Sequence, residues 1–183
     1  MTARPRLIAL VGDSMIGYFQ GWAGLAPESE VVNLGQGGDN TFCVLRRLGE
    51  LRDLGPDLVF LQVGINDLLQ GRDTEALTDG HVEIWRTVSI LAPLAKLVVG
   101  SILPLNSSRL GSLVPGNALV RKANSALATA AEAFRIEFLD HYWLMAGPDG
   151  ELRPDLTDDG IHLLPQAYWI WLQALKGCPA FGA

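Results

Sequence analysis

The sequence predicts an α/β protein, a three-layer α/β/α sandwich built on a parallel sheet of about five strands. Short apolar runs recur along the chain, bounded by glycine or polar residues, which is typical of strands buried on both faces. Segments with apolar residues at helical spacing separate these runs, and this alternation favours a parallel sheet. The 183 residues contain no linker or low-complexity tract, so a single domain over residues 1–183 is expected.

The first half of the chain supplies three predicted strands. Residues 7–11 are continuously apolar and end at a glycine, and residues 30–34 form the second run. A helix is predicted over residues 41–54, because leucines recur on one face and a Gly-Pro pair follows as a stop. Residues 58–63 form the third predicted strand.

The second half continues the alternation. A helix is predicted over residues 74–91 and a strand over residues 97–102. The clearest helical spacing covers residues 119–134, where apolar residues recur at steps of three and four. A fifth strand follows at residues 136–139. The last helix is predicted over residues 165–177, with proline in its first turn and glycine at its end.

Four polar or glycine-rich loops are expected to meet at one edge of this sheet. Parallel strands share a direction, so the loops behind their carboxyl ends lie together although they are distant in sequence. Residues 12–14, 33–39 and 64–67 follow the first three strands, and residues 159–162 follow the fifth after a longer segment. Open α/β sheets bind their ligands at this edge, so we expect the functional site there.

Three residues in these loops have the chemistry of a serine hydrolase. Ester hydrolysis needs a nucleophile, a base that takes its proton and a group that orients the base. Ser14 is the candidate nucleophile, and His162 is the candidate general base and later general acid. Asp159 precedes His162 by three residues and would orient its imidazole, with Asp158 as the rival acid.

The oxyanion that forms during ester hydrolysis needs hydrogen-bond donors. A glycine lets a backbone N–H approach the substrate, because no Cβ stands in the way. The predicted donors are therefore the backbone N–H groups of Gly38 and Ser14 and the side-chain amide of Asn66.

Four motifs occur in order along the chain: Gly12-Asp13-Ser14, Gly38, Gly64-x-Asn66-Asp67 and Asp159-x-x-His162. They resemble the four signature blocks of the SGNH, or GDSL, hydrolase family. This resemblance implies a flavodoxin-like α/β/α fold, a Ser-His-Asp triad, an oxyanion hole of Ser N–H, Gly N–H and Asn side chain, and esterase or lipase-type activity without a metal. Residues 12–15, 33–41 and 103–104 are most similar to the branch related to platelet-activating-factor acetylhydrolase catalytic subunits.

Each motif has a simpler interpretation when it is taken alone. Residues 12–14 and 159–162 both suit capped helix starts, and the glycines before Gly38 suit a turn. Their joint occurrence at one predicted sheet edge favours the catalytic interpretation. His81 lies on the apolar face of its predicted helix, and both it and His141 are expected to be structural.

Charge and motifs limit the partners. The chain has 14 basic and 20 acidic residues, a net charge of −6, and the basic residues are scattered, which argues against nucleic acid or an anionic membrane surface. A small-molecule ester is the expected substrate, and homo-oligomerisation is left open. No cofactor and no metal are expected, because no nucleotide-binding motif or metal-ligand spacing occurs. A flavin is disfavoured because Asp13 stands where a loop would bind its phosphate.

A cytoplasmic protein without stable membrane insertion is expected. No apolar run reaches the roughly 18 residues that a membrane span needs. The apolar residues 7–11 run directly into Ser14, so the basic N-terminal residues are not interpreted as part of a cleaved secretion signal. Cys43 and Cys178 are far apart and are expected to be free thiols.

The expected function is that of a metal-independent serine esterase acting on acetyl to butyryl esters. The loops are short, which favours an open groove over a tunnel for long chains, and Ile65 is bulky beside Asn66. Acyl transfer to, or deacetylation of, a sugar or lipid alcohol by the same residues is the alternative. Residues 104–115 form either a loop over the groove or a surface connection. With a histidine base, whose reference pKa is about 6.5, activity is expected to rise from mildly acidic to neutral pH.

Overall fold

The sheet has the strand order of a flavodoxin-like fold. The computed structural model describes residues 4–111 and 115–182. Its strands are β1 (Arg6–Gly12), β2 (Ser29–Gly35), β3 (Leu58–Gln62), β4 (Lys96–Gly100) and β5 (Glu137–Leu139). They pair in parallel in the order β2-β1-β3-β4-β5, which is the flavodoxin-like order. The predicted α/β fold with a five-stranded parallel sheet is confirmed.

Helices cover both faces of the sheet. They are α1 (Ser14–Gly17), α2 (Thr41–Arg47), α3 (Glu50–Leu54), α4 (Ile65–Leu69), α5 (Thr74–Leu91), α6 (Ser107–Leu110), α7 (Asn117–Phe134), α8 (Tyr142–Met145) and α9 (Pro165–Lys176), with a 3₁₀ turn at Trp22–Gly24. One apolar cluster joins the sheet to α2, α5 and α7, and another joins it to α9 and the 3₁₀ turn. The core therefore consists of two layers, one on each side of the sheet.

The side chains of β1 contribute to both layers of the core. Ile8 and Leu10 belong to the layer under α9, whereas Ala9 and Val11 belong to the layer under α2, α5 and α7. Successive side chains of a strand point to opposite faces, so a strand covered on both sides needs a continuous apolar run. This requirement explains why β1 and β3 can be recognised in the sequence as continuous apolar runs.

The prediction of a single helix over residues 41–54 is wrong. The segment forms α2 and α3, separated by a tight turn in which Leu51 N–H donates to Leu48 O and Arg52 N–H donates to Gly49 O. Gly49 lies in this turn, and the low helix propensity of glycine favours a break between α2 and α3. The short helices α1, α4, α6 and α8 were not predicted, because one turn of helix is too short to show a period.

The segment 104–115 is anchored where the structure describes it. Asn106 N–H donates to Gly160 O at 2.8 Å, and Asn106 Nδ2 donates to Leu152 O at 2.7 Å. Residues 112–114 lie outside the described ranges, so both interpretations of this segment stay open. Within residues 4–111 and 115–182, no helix is sufficiently long and apolar to cross a membrane.

Candidate active site

Ser14 lies directly behind the carboxyl end of β1, which pairs with β2 on one side and β3 on the other. It is the first residue of α1 and is nearly buried, at 4% exposure. Asp13 caps this helix, since its Oδ1 accepts a hydrogen bond from Met15 N–H at 2.9 Å. A Cβ at Gly12 would lie 2.0 Å from the carbonyl oxygen of Gln62. The chain can therefore turn this close to β3 only with glycine before Asp13-Ser14.

A compact turn between α8 and α9 holds Asp159 and His162 together. Asp159 Oδ1 accepts hydrogen bonds from the backbone N–H groups of Ile161 and His162, both at 2.8 Å. Gly160, the residue after Asp159, has φ +90°, in the region that favours glycine. The three-residue spacing that was noted in the sequence therefore corresponds to one local turn that orients the acid toward the imidazole.

The structure joins Ser14, His162 and Asp159 in a continuous chain of hydrogen-bonding atoms. Asp159 Oδ2 lies 2.5 Å from His162 Nδ1, and His162 Nε2 lies 3.0 Å from Ser14 Oγ. Asp158 is exposed, and its backbone carbonyl accepts from Arg109 Nη1. Of the two acids weighed from the sequence, Asp159 is thus the one that contacts the imidazole.

The charge of Asp159 fixes the direction of these hydrogen bonds. Burial would raise the pKa of Asp159, but hydrogen bonds from His162 Nδ1 and from the backbone of Ile161 and His162 lower it to about 2. The carboxylate can only accept, so His162 Nδ1 must carry its proton. In neutral imidazole the lone pair then lies on Nε2, which faces the Ser14 hydroxyl.

The predicted oxyanion donors come from two further loops. Gly38 lies at an exposed turn with φ +82°, and no atom would contact a Cβ built there. Asn66 lies in α4 and is half-buried, and its Nδ2 donates to the carbonyl oxygen of Asp39 at 2.8 Å. This contact links Asn66 to the residue after Gly38. An amide nitrogen has two hydrogens, so one remains for another acceptor.

Asp67 anchors the loop that carries Asn66. Its side chain is fully buried, and its two oxygens accept from Thr41 N–H at 2.9 Å and from Thr41 Oγ1 at 2.6 Å. The loop behind β3 is thereby tied to the start of α2. The final residue of the Gly64-x-Asn66-Asp67 motif thus has a supporting contact and does not reach Ser14 or His162.

Tyr18 is a residue of this site that the sequence analysis missed. Its ring centroid lies 5.1 Å from that of His162 with the planes tilted by 33°, and 60% of Tyr18 is exposed. A Cβ at Gly37 would lie 2.9 Å from the Tyr18 hydroxyl. Tyr18 therefore lies between the imidazole and the loop of Gly38. No sequence signal indicates this position, because a single tyrosine after a short helix has no pattern.

The other two histidines are buried away from this chain of atoms. His81 Nε2 lies 3.2 Å from Val63 O, and His141 Nδ1 accepts from Trp171 Nε1 at 2.9 Å. Burial lowers the pKa of each imidazole to about 4. Both contacts agree with the predicted structural roles. Among the described residues, no group of three or more histidine, cysteine or acidic side chains is arranged to hold a metal ion.

A sequence profile of the GDSL-like lipase/acylhydrolase family matches residues 10–170. The chain belongs to this family. The predicted family is confirmed, and the protein is an enzyme of the lipase/acylhydrolase type. The match includes all four motifs that carry the resemblance. No match exists among curated proteins.

Solved structures of GDSL-type proteins share the fold. A Streptococcus pneumonia protein named for platelet activating factor is 24% identical, with 95% of this chain and 83% of that chain covered and a TM-score of 0.81. A GDSL-like lipase from Bacteroides thetaiotaomicron is 20% identical, with coverages of 93% and 88% and a TM-score of 0.76. The lipase/acylhydrolase from Enterococcus faecalis is 19% identical, with coverages of 94% and 96% and a TM-score of 0.76. At these identities the likeness concerns the fold alone.

Proposed function

We propose that this GDSL-family member is a metal-independent serine esterase that hydrolyses short-chain acyl esters through an acyl-enzyme intermediate. The observation that carries the proposal is the uninterrupted relay from Asp159 Oδ2 to His162 Nδ1 and from His162 Nε2 to Ser14 Oγ. A nucleophile, its base and the group that orients the base are the parts that acyl transfer requires.

In the acylation step, Ser14 Oγ attacks the ester carbonyl carbon while its proton passes to His162 Nε2. The ionised Asp159 stabilises the resulting imidazolium and keeps it oriented. The backbone N–H groups of Ser14 and Gly38 and the free Nδ2 hydrogen of Asn66 donate to the oxyanion. His162 then returns the proton to the leaving alcohol, and the acyl group stays on Ser14.

In the deacylation step, His162 Nε2 takes a proton from a water molecule, whose oxygen attacks the acyl carbon. The tetrahedral intermediate uses the same three donors, and its collapse returns the proton to Ser14 Oγ. The side chain of His162 is about one-third exposed and that of Asp159 about half exposed, so water has access to the base. An acceptor alcohol has the same access, which keeps acyl transfer as the alternative outcome of this step.

The residues next to the proposed site residues in the chain support a short acyl group. Met15, Ile65 and Ile161 are among the residues that line a cavity of about 10 Å³, which is room for roughly one water molecule. Each of these residues is the chain neighbour of a proposed site residue. These neighbouring side chains leave little internal room for a long chain, and we propose a preference for acetyl to butyryl esters over long-chain esters.

The first test is the hydrolysis of p-nitrophenyl acetate and butyrate at neutral pH with a chelator present. The wild type is compared with Ser14→Ala and with Ser125→Ala, a control at an exposed position in α7. Activity in the wild type and the control but not in Ser14→Ala supports the proposal. An inactive wild type, or an active Ser14→Ala, contradicts it.

Two further arms of this experiment test the substrate assignment. Faster cleavage of the decanoate than of the butyrate would overturn the short-chain preference. An added alcohol or sugar that diverts the acyl group into a new ester would identify transfer rather than hydrolysis as the final step.

A further inference from the structure

The guanidinium of Arg47, at the carboxyl end of α2, binds three acceptors around the candidate active site. Its Nε donates to Asp39 Oδ2 at 2.6 Å, its Nη1 to Leu34 O at 2.6 Å and its Nη2 to Gly12 O at 2.8 Å. The side chain of Arg47 is 20% exposed and that of Asp39 is 8% exposed. All three hydrogen bonds are short and have the charged guanidinium as their donor. They lie in a largely buried region, where charge-assisted hydrogen bonds are strong.

Each acceptor belongs to a segment that carries a proposed oxyanion donor. Gly12 ends β1 and stands two residues before Ser14, and Leu34 is the next-to-last residue of β2, before the loop of Gly38. Asp39 follows Gly38, and its backbone oxygen accepts the hydrogen bond from Asn66 Nδ2. One side chain on α2 therefore binds the segments of Ser14 and Gly38 directly and reaches Asn66 through Asp39, although it touches none of the reacting groups.

We propose that Arg47 is a positioning residue that fixes the relative geometry of the oxyanion donors on Ser14, Gly38 and Asn66 before substrate binds. The proposal rests on the function proposed above. Donors stabilise a transition state best when they are held in place in advance, because no reorganisation is then needed during the reaction. The planar fork of arginine suits this task, since its nitrogens reach separate acceptors from one rigid group.

This role makes a specific kinetic prediction for Arg47→Met. The oxyanion donors act mainly in the transition state, so their displacement lowers kcat and changes KM little. We expect kcat to fall about 10- to 100-fold, less than the loss typical of deleting a donor outright. The pH profile should keep its midpoint, because Arg47 does not contact Asp159 or His162. The matched control is Arg46→Met, which removes an exposed positive charge from the neighbouring position of α2.

The kinetics are measured at a temperature where denaturation curves show each variant to be folded. A purely structural Arg47 would lower the melting temperature and leave kcat of the folded enzyme equal to that of Arg46→Met, and that result would overturn the proposal. Arg47→Lys is the second variant, should Arg47→Met not fold. It keeps the charge beside Asp39, but one ammonium nitrogen cannot span the three acceptors. A wild-type kcat in Arg47→Lys would also overturn the proposal.

A readout that does not depend on activity separates this proposal from the function on which it rests. The side-chain amide signals of Asn66 in a ¹⁵N-labelled sample report the hydrogen bond to Asp39 O. We expect these signals to shift and to exchange faster with solvent in Arg47→Met or Arg47→Lys, and to stay in place in Arg46→Met. An inactive wild type contradicts the proposed function, whereas unchanged Asn66 signals in the Arg47 variants contradict the positioning role.

Discussion

Two polar clusters lie at the carboxyl edge of the sheet, and each contains a histidine. In the exposed cluster, His162 stands between the carboxylate of Asp159 and the hydroxyl of Ser14. In the buried cluster behind β4 and β5, His141 donates its backbone N–H to Ser101 Oγ and accepts from the indole N–H of Trp171 at Nδ1. The two imidazoles therefore present opposite Nδ1 states, a donor in His162 and an acceptor in His141.

This difference decides what each histidine can do. His162 has an anion beside Nδ1, which stabilises the imidazolium that a general base must become. His141 is 7% exposed and has an indole donor at that place, and burial lowers its pKa to about 4. We therefore expect His162 rather than His141 to act as a base, because an acid contacts one of its ring nitrogens and the Ser14 hydroxyl faces the other. The buried cluster stabilises the fold instead.

The sharpest test of the comparison replaces the histidine of each cluster by asparagine. His162→Asn removes the proposed base, and we expect kcat for p-nitrophenyl butyrate to fall about 10⁴- to 10⁶-fold. His141→Asn keeps an acceptor oxygen near the place of Nδ1, and its kcat should stay close to the wild-type value. Equal losses in the two variants would show that the clusters do not differ in function.

The two neighbouring acids provide the next largest effect. Asp159→Asn can donate toward His162 Nδ1, which favours the wrong tautomer, and we expect kcat to fall about 10⁴-fold. Asp158→Asn, the control, changes an exposed carboxylate next to it and should leave kcat unchanged. A large loss in Asp158→Asn with a small one in Asp159→Asn would reverse the assignment of the acid.

Asp13 extends the comparison to a buried carboxylate beside Ser14. Burial raises its pKa to about 7, with Asp39 and Asp67 adding to the effect and the Met15 N–H opposing it. Between about pH 4 and pH 7, Asp13 is therefore protonated in the folded state and ionised in the unfolded state. The free energy of unfolding consequently falls as the pH rises through this range.

We expect Asp13→Asn to raise the free energy of unfolding by up to about 4 kcal/mol at pH 8, because folding raises the pKa of Asp13 from 3.8 to about 7. The gain should nearly vanish at pH 3, where Asp13 is largely protonated in both the folded and the unfolded wild type. Urea unfolding at the two pH values measures it, with Asp158→Asn as the exposed control. An equal effect at both pH values would contradict the raised pKa.

The smallest expected effect concerns the buried cluster alone. His141→Leu leaves the indole N–H of Trp171 without an acceptor, which typically costs about 1–3 kcal/mol. His141→Asn retains an acceptor and should cost less. Chemical denaturation compares the two variants, and a His141→Leu protein as stable as the wild type would remove the structural role assigned to this histidine.

The parts of the fold that the sequence predicts well are those with a continuous pattern. β1 and β3 are apolar on both faces, and α5 and α7 are long enough to show a helical period. The contacts of Asp159 and His162 could be anticipated because they lie in one turn. The break in the helix predicted over residues 41–54 was missed, since a single glycine weakens a helix without marking where it ends.

The supporting contacts of the candidate site could not be predicted for a different reason. Arg47 binds two backbone carbonyls, and every residue of a chain has a carbonyl, so no residue type identifies the partners. Tyr18 and His162 are distant in sequence, and their rings come into contact only in the folded chain. Sequence patterns identify the groups that carry chemistry by their type, whereas groups that act through backbone atoms become visible only in three dimensions.

The distance along the chain between Ser14 and His162 has a consequence for how activity arises during synthesis. The two residues are 148 positions apart, so the ribosome makes the proposed nucleophile long before it makes the proposed base. A nascent chain that already contains β1, β3 and the proposed oxyanion loops has no group to activate its serine. The proposed esterase activity should therefore begin only once the turn that carries Asp159 and His162 has emerged and docked.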